Sequence, residues 1–415
     1  MLLEFSCSNH KSIRNEVLFS ALAGKDSTYE EKTKEFGNHR VLKSAIIYGA
    51  NGSGKSNFID AIDFTKNLVV NSINHQPGQG IRQQPHKLSG FENDSTYKIQ
   101  FVKNNIRYAY SFTLRNLLVA EEYLYYFPNG RQVKIFERTD EKFQTGSKFR
   151  GRLSQCKDVL KPNRLLLSCA ANFSSVQEIE NAYRFFSDDL VIYSPRNEAD
   201  WMNYSLHQIH ANSKIKAAVL AFLRSLDTGI KDIKVSIDKK ELDINDIPPF
   251  LSDEFKKQLL QNSVDAVSAK IVYDGFETDL LQEESTGIQK LFAFLCPLLD
   301  IIVNGKILIC DELEANLHES LVYGLVKLFV DLYSEEFPQI FFTTHDTSLL
   351  NLDLFRRDQI WFTELSKTDR STELFSLAEI KNVRKDESVG KGYISGRYGA
   401  IPMLNIDFAN IVSEL

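Results

Sequence analysis

The chain has 415 residues, of which 43% are hydrophobic, 25% charged and 11% aromatic. This is the composition of an ordinary globular protein, and it excludes a disordered, collagen-like or rod-like coiled-coil chain. The formal net charge of −6 argues against a protein that mainly coats nucleic acid, although it leaves room for a local basic patch.

The cysteine pattern and the absence of a signal indicate a cytoplasmic protein. An odd number of widely spaced cysteines, without a CxxC pair, predicts reduced and buried thiols. The N-terminus has no basic region followed by an apolar one. The longest apolar run, 291–303, is interrupted by Pro297 and Asp300 and is too short to span a bilayer. The five cysteines are Cys7, Cys156, Cys169, Cys296 and Cys310.

The first half of the chain predicts strands around one helix. Hydrophobic periodicity and turn residues such as Asn-Gly mark these elements. In chain order they are a strand pair at 2–5 and 12–18, a polar loop at 24–40, a buried strand at 44–48, a helix at 56–70, a long exposed loop at 71–96, an antiparallel meander at 97–137 and a strand at 190–193.

The second half alternates strands and helices, which is the pattern of an α/β protein. Its predicted elements are helices at 213–226 and 252–261 with a strand at 233–237 between them, then a strand from 268, a helix at 286–303, a strand at 306–310, a helix at 319–333 and a strand at 339–343.

Residues 49–56, Gly-Ala-Asn-Gly-Ser-Gly-Lys-Ser, fit the pattern GxxxxGK[ST] between a predicted strand and a predicted helix. Glycines let successive N–H groups point at one anion, and the helix N-terminus adds positive potential. Lys55 can reach the β- and γ-phosphates, and Ser56 can ligate Mg²⁺. The predicted nucleotide ligands are Gly49, Asn51, Gly52, Ser53, Gly54, Lys55, Ser56 and Asn57.

The apolar strand at 306–310 is followed by two acids, Asp311 and Glu312, in a Walker B arrangement. We expect Asp311 to hold Mg²⁺, directly or through water. Glu312 is expected to orient and deprotonate the attacking water. Acids at a strand end are weak evidence by themselves, because strand ends meet water. Together with a phosphate loop they indicate a hydrolytic nucleotide site.

The phosphate loop and the sequence Asn-Phe-Ile-Asp-Ala-Ile that follows it at 57–62 resemble the SMC and RecF group of ABC-type ATPases. The resemblance implies ATP as the nucleotide, with Lys55 and Glu312 as catalytic residues. It also implies that His345, after the strand that follows Walker B, contacts the γ-phosphate as a switch histidine. An ordinary surface histidine is the alternative.

Residues 281–290, Leu-Gln-Glu-Glu-Ser-Thr-Gly-Ile-Gln-Lys, resemble a degenerate ABC signature. Ser285 and Gly287 match the signature, whereas Glu284 and Thr286 depart from it. The resemblance implies that Ser285 and Gly287 bind the γ-phosphate held by another subunit, and therefore a head-to-tail homodimer or higher oligomer around two ATP molecules. The alternative is that Ser285 only caps the following helix.

Three shorter segments complete the resemblance to this group. Residues 165–172 read as an apolar strand in which Asn172 would replace the usual metal-contacting glutamine; a strand that meets a polar turn is the alternative. Asn-His-Lys-Ser at 9–12 resembles an element beside the nucleotide, so Lys11 and Ser12 are candidate ligands. Residues 314–318 fall where these ATPases carry a D-loop.

The predicted fold is α/β, an ABC-type P-loop ATPase head with a mixed sheet, an antiparallel β meander and a mainly helical insert. We assign 1–196 to an N-terminal ATPase lobe, 197–267 to the insert and 268–415 to a second ATPase lobe. The stretch before the signature carries no sustained heptads, which excludes the long coiled coil of an SMC rod.

Both ends of the chain, including 356–362 and 391–402, resemble a bacterial family of stand-alone "AAA-type" ATP-binding proteins from restriction-linked and abortive-infection loci. RloA-type proteins and the ATPase of the PARIS anti-phage system are relatives, and OLD-family nucleases carry such an ATPase fused to a Toprim nuclease domain. The resemblance implies an ATPase that controls a separate Toprim-like or RNase-like effector in phage defence. The alternatives are a RecF-like DNA-binding ATPase of DNA repair and a nucleotide-binding scaffold with little turnover.

Two further segments leave their roles open. The basic run at 142–164 is the candidate nucleic-acid patch, and its alternative is a solvated surface. The tail motif at 396–402 is either a packed, glycine-flexed turn or a loop beside the nucleotide or a partner.

Overall fold

The computed structural model describes residues 1–26, 28–149, 151–241, 263–332, 334–384 and 387–401. The chain divides into two compact units. Unit 1 comprises Met1–Tyr193, Ile302–Glu314 and Val322–Leu415, and unit 2 comprises Ser194–Ile301 and Ala315–Leu321. The three-part division predicted from the sequence differs from this one, because unit 2 contains the insert together with the signature segment.

The strands of unit 1 are β1 (Leu2–Ser8), β2 (Val17–Ser20), β3 (Thr33–Phe36), β4 (His39–Leu42), β5 (Ser44–Gly49), β6 (Ser95–Lys103), β7 (Ile106–Arg115), β8 (Leu118–Phe127), β9 (Val133–Thr139), β10 (Lys142–Thr145), β11 (Leu190–Tyr193), β15 (Ile307–Cys310), β16 (Gln339–Thr343), β17 (Ile360–Leu365) and β18 (Thr372–Ser376), and those of unit 2 are β12 (Asp232–Glu241), β13 (Ser263–Val272) and β14 (Glu277–Asp279). The helices are α1 (Lys55–Asn71), α2 (Cys156–Val159), α3 (Leu166–Phe173), α4 (Gln177–Arg184), α5 (Glu198–Ala211), α6 (Ser213–Ser225), α7 (Thr286–Val303), α8 (Glu319–Asp331) and α9 (Val389–Ile394).

Unit 1 contains two large sheets. A seven-stranded antiparallel sheet has the order β10-β9-β8-β7-β6-β1-β2, and it includes the predicted meander. A six-stranded sheet has the order β11-β15-β16-β5-β17-β18 and is parallel except for β18. The strands β5, β15 and β16 are buried along their whole length, as continuous apolar runs in parallel sheets are.

The core of unit 1 connects these sheets through α1. Phe58 of α1 packs against Phe5 and Phe19 of the antiparallel sheet, with ring centroids 5.7 and 6.0 Å apart. Phe19 also contacts Phe341 and Trp361 of the parallel sheet, at 5.2 and 5.1 Å. This shared core fixes the position of α1, and therefore of the phosphate loop at its N-terminus.

Two local predictions for unit 1 are wrong. Residues 24–40 are not only a loop, because β3 and β4 pair there as an antiparallel hairpin. The predicted strand at 165–172 is helix α3. The buried carboxylate of Glu122 accepts hydrogen bonds from the N–H groups of Leu166 and Leu167, at 2.6 and 2.9 Å, and so satisfies the first donors of that helix.

Unit 2 combines helices with a three-stranded antiparallel sheet in the order β12-β13-β14. The predicted helix at 213–226 is confirmed as α6, whereas the one predicted at 252–261 lies outside the described residues. In the described part of the insert, α5 and α6 accompany β12 and the start of β13, which agrees with the predicted helix at 213–226 and the predicted strand at 233–237.

The apolar helix α7 meets the length and composition of a membrane span. It has 18 residues with a mean hydropathy of 1.6, and it is longer than the apolar run at 291–303, which by itself is too short to span a bilayer. Of that segment, 56% is buried inside the chain. A core helix passes the same test, so membrane insertion does not follow from it. All five cysteines are free and buried, as predicted.

Candidate nucleotide site

The phosphate loop connects β5, which ends at Gly49, to α1, which begins at Lys55. Gly54 has a φ of 107°, a conformation that glycine adopts without steric cost, and a methyl group there would collide with the Thr372 side chain. A methyl group at Gly49 would likewise meet Ser53 and Thr363. The glycines therefore allow both the turn and the close approach of neighbouring strands.

Residues that follow β16 in the chain pack against the phosphate loop and hydrogen-bond to it; we call these residues the wall of the loop. The hydroxyl groups of Ser53 and Thr363 are 2.6 Å apart. Thr372 Oγ1 donates to the Ser53 carbonyl at 2.9 Å. The Ala50 N–H donates to the Ala400 carbonyl at 3.0 Å. These hydrogen bonds connect the loop to later parts of the chain and fix its backbone conformation, as a preformed anion site requires.

Lys55 is 6% exposed and its ammonium group lies on the loop itself. It donates to the carbonyls of Gly49 at 2.7 Å and Ala50 at 3.2 Å. Burial lowers the pKa of Lys55 to about 8, and the nearby carboxylates of Asp311 and Glu312 oppose this shift only in part. Phosphate oxygens would favour the charged form, because their negative charge compensates for the hydration that burial removes.

A threonine hydroxyl couples the two Walker B acids. Thr343 Oγ1 donates to Asp311 Oδ1 at 2.7 Å and accepts the Glu312 N–H at 2.8 Å. Glu312 has a φ of 52°, which is uncommon for a residue other than glycine. The hydroxyl thus stabilises a strained backbone turn, and Glu312 is among the residues that line the phosphate pocket.

His345 follows β16, which lies between β5 and β15 in the sheet. The backbone N–H of His345 donates to Glu314 Oε1 at 2.6 Å. Burial lowers the pKa of His345, and the positive charge of Lys55 lowers it further. The imidazole is therefore neutral at pH 7, with one nitrogen able to donate a hydrogen bond to an anion.

These residues surround one pocket of about 300 Å³ at the N-terminus of α1. The structure thus brings together the predicted loop ligands, the predicted base and the predicted switch histidine. Gly49 and Ser53 lie behind this lining as the support described above. The pocket is lined by Asn51, Gly52, Gly54, Lys55, Ser56, Asn57, Glu312 and His345.

The predicted metal ligands Ser56 and Asp311 fit Mg²⁺ by their chemistry. Both supply oxygen, and Mg²⁺ is commonly held by one or two carboxylates with water and phosphate in the remaining positions. Within the described ranges, no group of three or more His, Cys, Asp or Glu side chains could hold a metal ion.

Lys11 and Ser12 lie beside the first turn of α1. Lys11 forms an ion pair with Asp60 at 2.5 Å. Ser12 Oγ accepts a hydrogen bond from Asn57 Nδ2 at 2.7 Å and lies 2.7 Å from Thr372 Oγ1. The structure thus places both candidates next to the phosphate loop, where they contact protein groups that surround it.

The signature candidates Ser285 and Gly287 belong to unit 2. Ser285 is exposed, and its hydroxyl accepts the Ile288 N–H at 3.4 Å, as a helix cap does. A methyl group at Gly287 would come 2.8 Å from the Asn316 carbonyl, so a side chain there would crowd the segment after Walker B. Within its own chain, Ser285 therefore caps helix α7, which is the alternative to a role in binding the γ-phosphate.

Asn172 does not line the phosphate pocket. It lies near the end of α3, not at a strand end, and its amide donates to the Ser168 carbonyl at 2.9 Å. The glutamine-like role expected for Asn172 was based on a strand that does not form.

The basic run at 142–164 has mixed roles. Arg164 donates to the carbonyls of His75 and Val159 and so stabilises the loop after α1. The residue at 150 lies outside the described part of the chain. Four other cations of the run are exposed, namely Lys142, Lys148, Arg152 and Lys157.

The tail motif at 396–402 lies against the phosphate loop as far as Ala400, whereas residue 402 lies outside the described part of the chain. Tyr398 stacks on Phe362, with ring centroids 5.8 Å apart, and Tyr393 donates to the Ala400 carbonyl at 3.2 Å. The motif is thus a packed turn that also reaches the loop.

Sequence reasoning missed the threonines that support the site. Thr343 ends the predicted strand at 339–343, two residues before His345, and this position was an available signal. Thr363 and Thr372 carry no motif, and only the strand order brings them to the loop.

Comparisons with solved structures return heads of SMC proteins. An Smc head bound to the C-winged-helix domain of ScpA has 13% identity and a TM-score of 0.44, covering 90% of this chain and 97% of that one. The SMC head domain from Thermotoga maritima has 13% identity and a TM-score of 0.40, covering 90% and 98%. An Smc head from Pyrococcus furiosus with an extended coiled coil, bound to the C-terminal domain of ScpA, has 11% identity and a TM-score of 0.39, covering 91% and 96%.

The TM-scores of these three structures are below 0.5, so the family of the chain is decided by its sequence and not by these structural similarities. A search of curated proteins finds no match. A family described as "AAA domain, putative AbiEii toxin, Type IV TA system" matches residues 44–151 and 179–351. The match covers more than half of the chain and includes the phosphate loop, the Walker B acids and His345. The chain therefore belongs to this family of AAA domains.

Proposed function

We propose that the chain binds ATP with Mg²⁺ and hydrolyses it slowly. The observation that carries this proposal is the single pocket in which Lys55, Glu312 and His345 meet the phosphate loop. An anion-binding loop alone would support only binding. The additional carboxylate, beside the position that a terminal phosphate would occupy, supports hydrolysis.

Each residue has a separate task in this reaction. The loop N–H groups and Lys55 bind the phosphates and neutralise their charge. Glu312 orients the attacking water and accepts its proton. His345, neutral at pH 7, donates a hydrogen bond to the terminal phosphate. Ser56 and Asp311 would hold Mg²⁺, which supplies positive charge to the phosphate oxygens when bound.

The second part of the proposal is a head-to-tail homodimer or higher oligomer. Ser285 is exposed and is followed by the N-terminus of the 18-residue helix α7, whose first N–H groups suit an anion. In such a dimer, Ser285 and Gly287 of one chain would contact the γ-phosphate that is bound to the phosphate loop of the other.

The third part is a cytoplasmic role in anti-phage defence, in which nucleotide state holds or releases a separate toxic effector. The family description names a putative toxin of a type IV toxin–antitoxin system, which supports a link to growth arrest. The effector proposed from the resemblance is Toprim-like or RNase-like.

The exposed lysines at 142–164 favour a second candidate, a RecF-like ATPase that binds DNA. Binding of that kind would depend on ATP and weaken steeply as salt increases. Titration of duplex and single-stranded DNA at two salt concentrations, with and without ATP, separates this candidate from the effector regulator.

The substitution Glu312→Gln tests the proposed hydrolysis. We expect phosphate release to fall by about 100-fold or more, because general-base catalysis contributes on that order. ATP affinity should remain, and the ATP-bound oligomer should accumulate in size-exclusion chromatography. The control is Glu335→Gln, an exposed acid that does not line the pocket. Hydrolysis by Glu312→Gln at the wild-type rate would remove Glu312 as the base.

A further inference from the structure

The segment after β15 and the segment that carries His345 lie next to each other and are joined by three consecutive hydrogen bonds. The Glu312 N–H donates to Thr343 Oγ1 at 2.8 Å, and the Leu313 N–H donates to the Thr343 carbonyl at 3.2 Å. In the third bond a side chain is the acceptor, because Glu314 Oε1 accepts the backbone N–H of His345 at 2.6 Å. Together these bonds fix the proposed base and the proposed switch histidine relative to each other.

The backbone at His345 depends on Glu314 for its position. His345 lies beyond the end of β16, where the regular strand pairing stops. The preceding N–H, that of Thr344, still donates to the Ile47 carbonyl of β5 at 3.2 Å. The next N–H, that of His345, points to the Glu314 carboxylate instead. A hydrogen bond from a backbone N–H to an ionised carboxylate is stronger than one to a neutral acceptor, so its loss would release the peptide that carries the imidazole.

The carboxylate of Glu314 is an expensive way to hold one backbone N–H. Its second oxygen, Oε2, is buried and has no hydrogen-bond partner among the residues that the structure describes. A buried charged oxygen without a partner destabilises the fold, and in native proteins such a group commonly has a functional reason. Burial, followed by the charge of Lys55, lowers the pKa of His345, and Glu314 is the carboxylate that opposes this shift most. Glu314 therefore acts on the imidazole as well as on the backbone that carries it.

We propose that Glu314 is a positioning residue for ATP hydrolysis, which holds His345 where its imidazole donates to the terminal phosphate. Glu314 does not line the phosphate pocket, so it acts through His345. A small displacement of His345 would weaken a hydrogen bond that matters most as charge develops on the phosphate during the reaction. Binding by the phosphate loop and Lys55 would be unaffected. This inference rests on the proposed hydrolysis.

The test is a double-mutant cycle on phosphate release by the full chain, at saturating ATP with Mg²⁺. Glu314→Ala should lower kcat by about 10- to 100-fold, the cost of misplacing a catalytic group, while ATP affinity stays within about twofold of the wild type. In the His345→Ala chain, adding Glu314→Ala should lower kcat by less than about twofold, because residues that act as a unit are not additive. Calorimetry measures the ATP affinity. The matched control is Glu335→Ala, an exposed acid outside the pocket, which should leave kcat unchanged.

Two conservative variants separate position from charge. Glu314→Gln keeps an oxygen that can accept the His345 N–H, so it should return kcat to within about fivefold of the wild type. Glu314→Asp keeps the charge but is one methylene shorter, so it should lose activity as Glu314→Ala does. These variants also decide the question if Glu314→Ala does not fold.

The cycle also distinguishes positioning from a general structural role. A merely structural glutamate would lower ATP affinity together with kcat, and its effect would add to that of His345→Ala. Either that result, or a wild-type kcat in Glu314→Ala, overturns the inference and leaves the proposed hydrolysis intact. If the wild type binds ATP but releases no phosphate, the proposed hydrolysis itself is overturned, and the role of Glu314 falls with it.

Discussion

The phosphate loop and the signature segment differ in how they are held. The phosphate loop is buried at Ser53 and Lys55, and its hydrogen bonds reach Thr363, Thr372 and Ala400, far along the chain. In the signature segment at 281–290, Lys290 is buried and donates to the Ala315 carbonyl at 2.7 Å, whereas 281–283 and Ser285 are exposed and are held mainly by local contacts. For example, the Leu281 and Gln282 N–H groups both bond to Asp279, at 2.9 Å.

This difference indicates two kinds of binding surface. A loop whose geometry is fixed by distant residues is preorganised, so little conformational entropy is lost when phosphate binds. The exposed and locally held part of the signature segment can change its sequence without disturbing a core. Such tolerance is consistent with the degenerate signature at Glu284 and Thr286.

The largest expected effect comes from Gly54→Ala. Its positive φ and the collision with Thr372 should together lower the free energy of unfolding by about 3–5 kcal/mol. Gly52→Ala is the control, since Gly52 also has a positive φ but nothing lies within 4 Å, and about 1 kcal/mol is expected. Urea unfolding measures the free energy of unfolding of both variants. If Gly54→Ala and Gly52→Ala lose the same free energy of unfolding, contact with Thr372 does not constrain the loop.

Thr372→Val should have the next largest effect. It keeps the side-chain shape and removes the hydrogen bonds to Ser12 and to the Ser53 carbonyl. We expect a loss of about 1–3 kcal/mol in unfolding free energy, together with weaker ATP binding. Thr139→Val, at an exposed strand position, should change stability by less than about 0.5 kcal/mol. If Thr372→Val binds ATP as tightly as the wild type, the hydrogen bonds of Thr372 do not contribute to phosphate binding.

The pKa of Lys55 predicts a pH-dependent affinity. In the nucleotide-free chain this pKa is about 8, below its ordinary value of 10.5, so the lysine loses its charge as the pH rises above 8. Binding then requires proton uptake, and ATP affinity should fall by up to about tenfold per pH unit above 8. Calorimetry in buffers of different ionisation enthalpy measures the number of protons taken up when ATP binds. Lys55→Arg keeps its charge and should show no such dependence.

The smallest expected effect belongs to the signature segment. Ser285→Ala removes a long capping bond, so unfolding should lose about 1 kcal/mol or less. ATP binding by the dilute, monomeric chain should not change, whereas hydrolysis at high chain concentration should fall. If Ser285→Ala weakens ATP binding by the dilute chain, the two segments do not act in separate subunits as proposed.

The features that could be predicted from the sequence are those formed by residues that are continuous along the chain. The strand–loop–helix around Lys55 and the acids after β15 are continuous patterns, and the structure contains them where expected. Helix α3 was predicted as a strand because a short apolar run is compatible with either, and the deciding contact comes from Glu122 on β8. The supports of the phosphate loop were missed because hydroxyl groups of Thr363 and Thr372 become informative only when strands pair.

The wall of the phosphate loop also sets an order of events during synthesis. The loop at 49–56 is translated well before Thr363, Thr372 and Ala400, which follow it far along the chain. Until then the Ser53 carbonyl and the Ala50 N–H lack their partners in the finished protein. Because folding during synthesis proceeds from the N-terminus, the nascent chain cannot complete its phosphate loop before these later residues are made. A nascent chain that stops before Thr363 would thus have the loop sequence without the contacts that hold the loop.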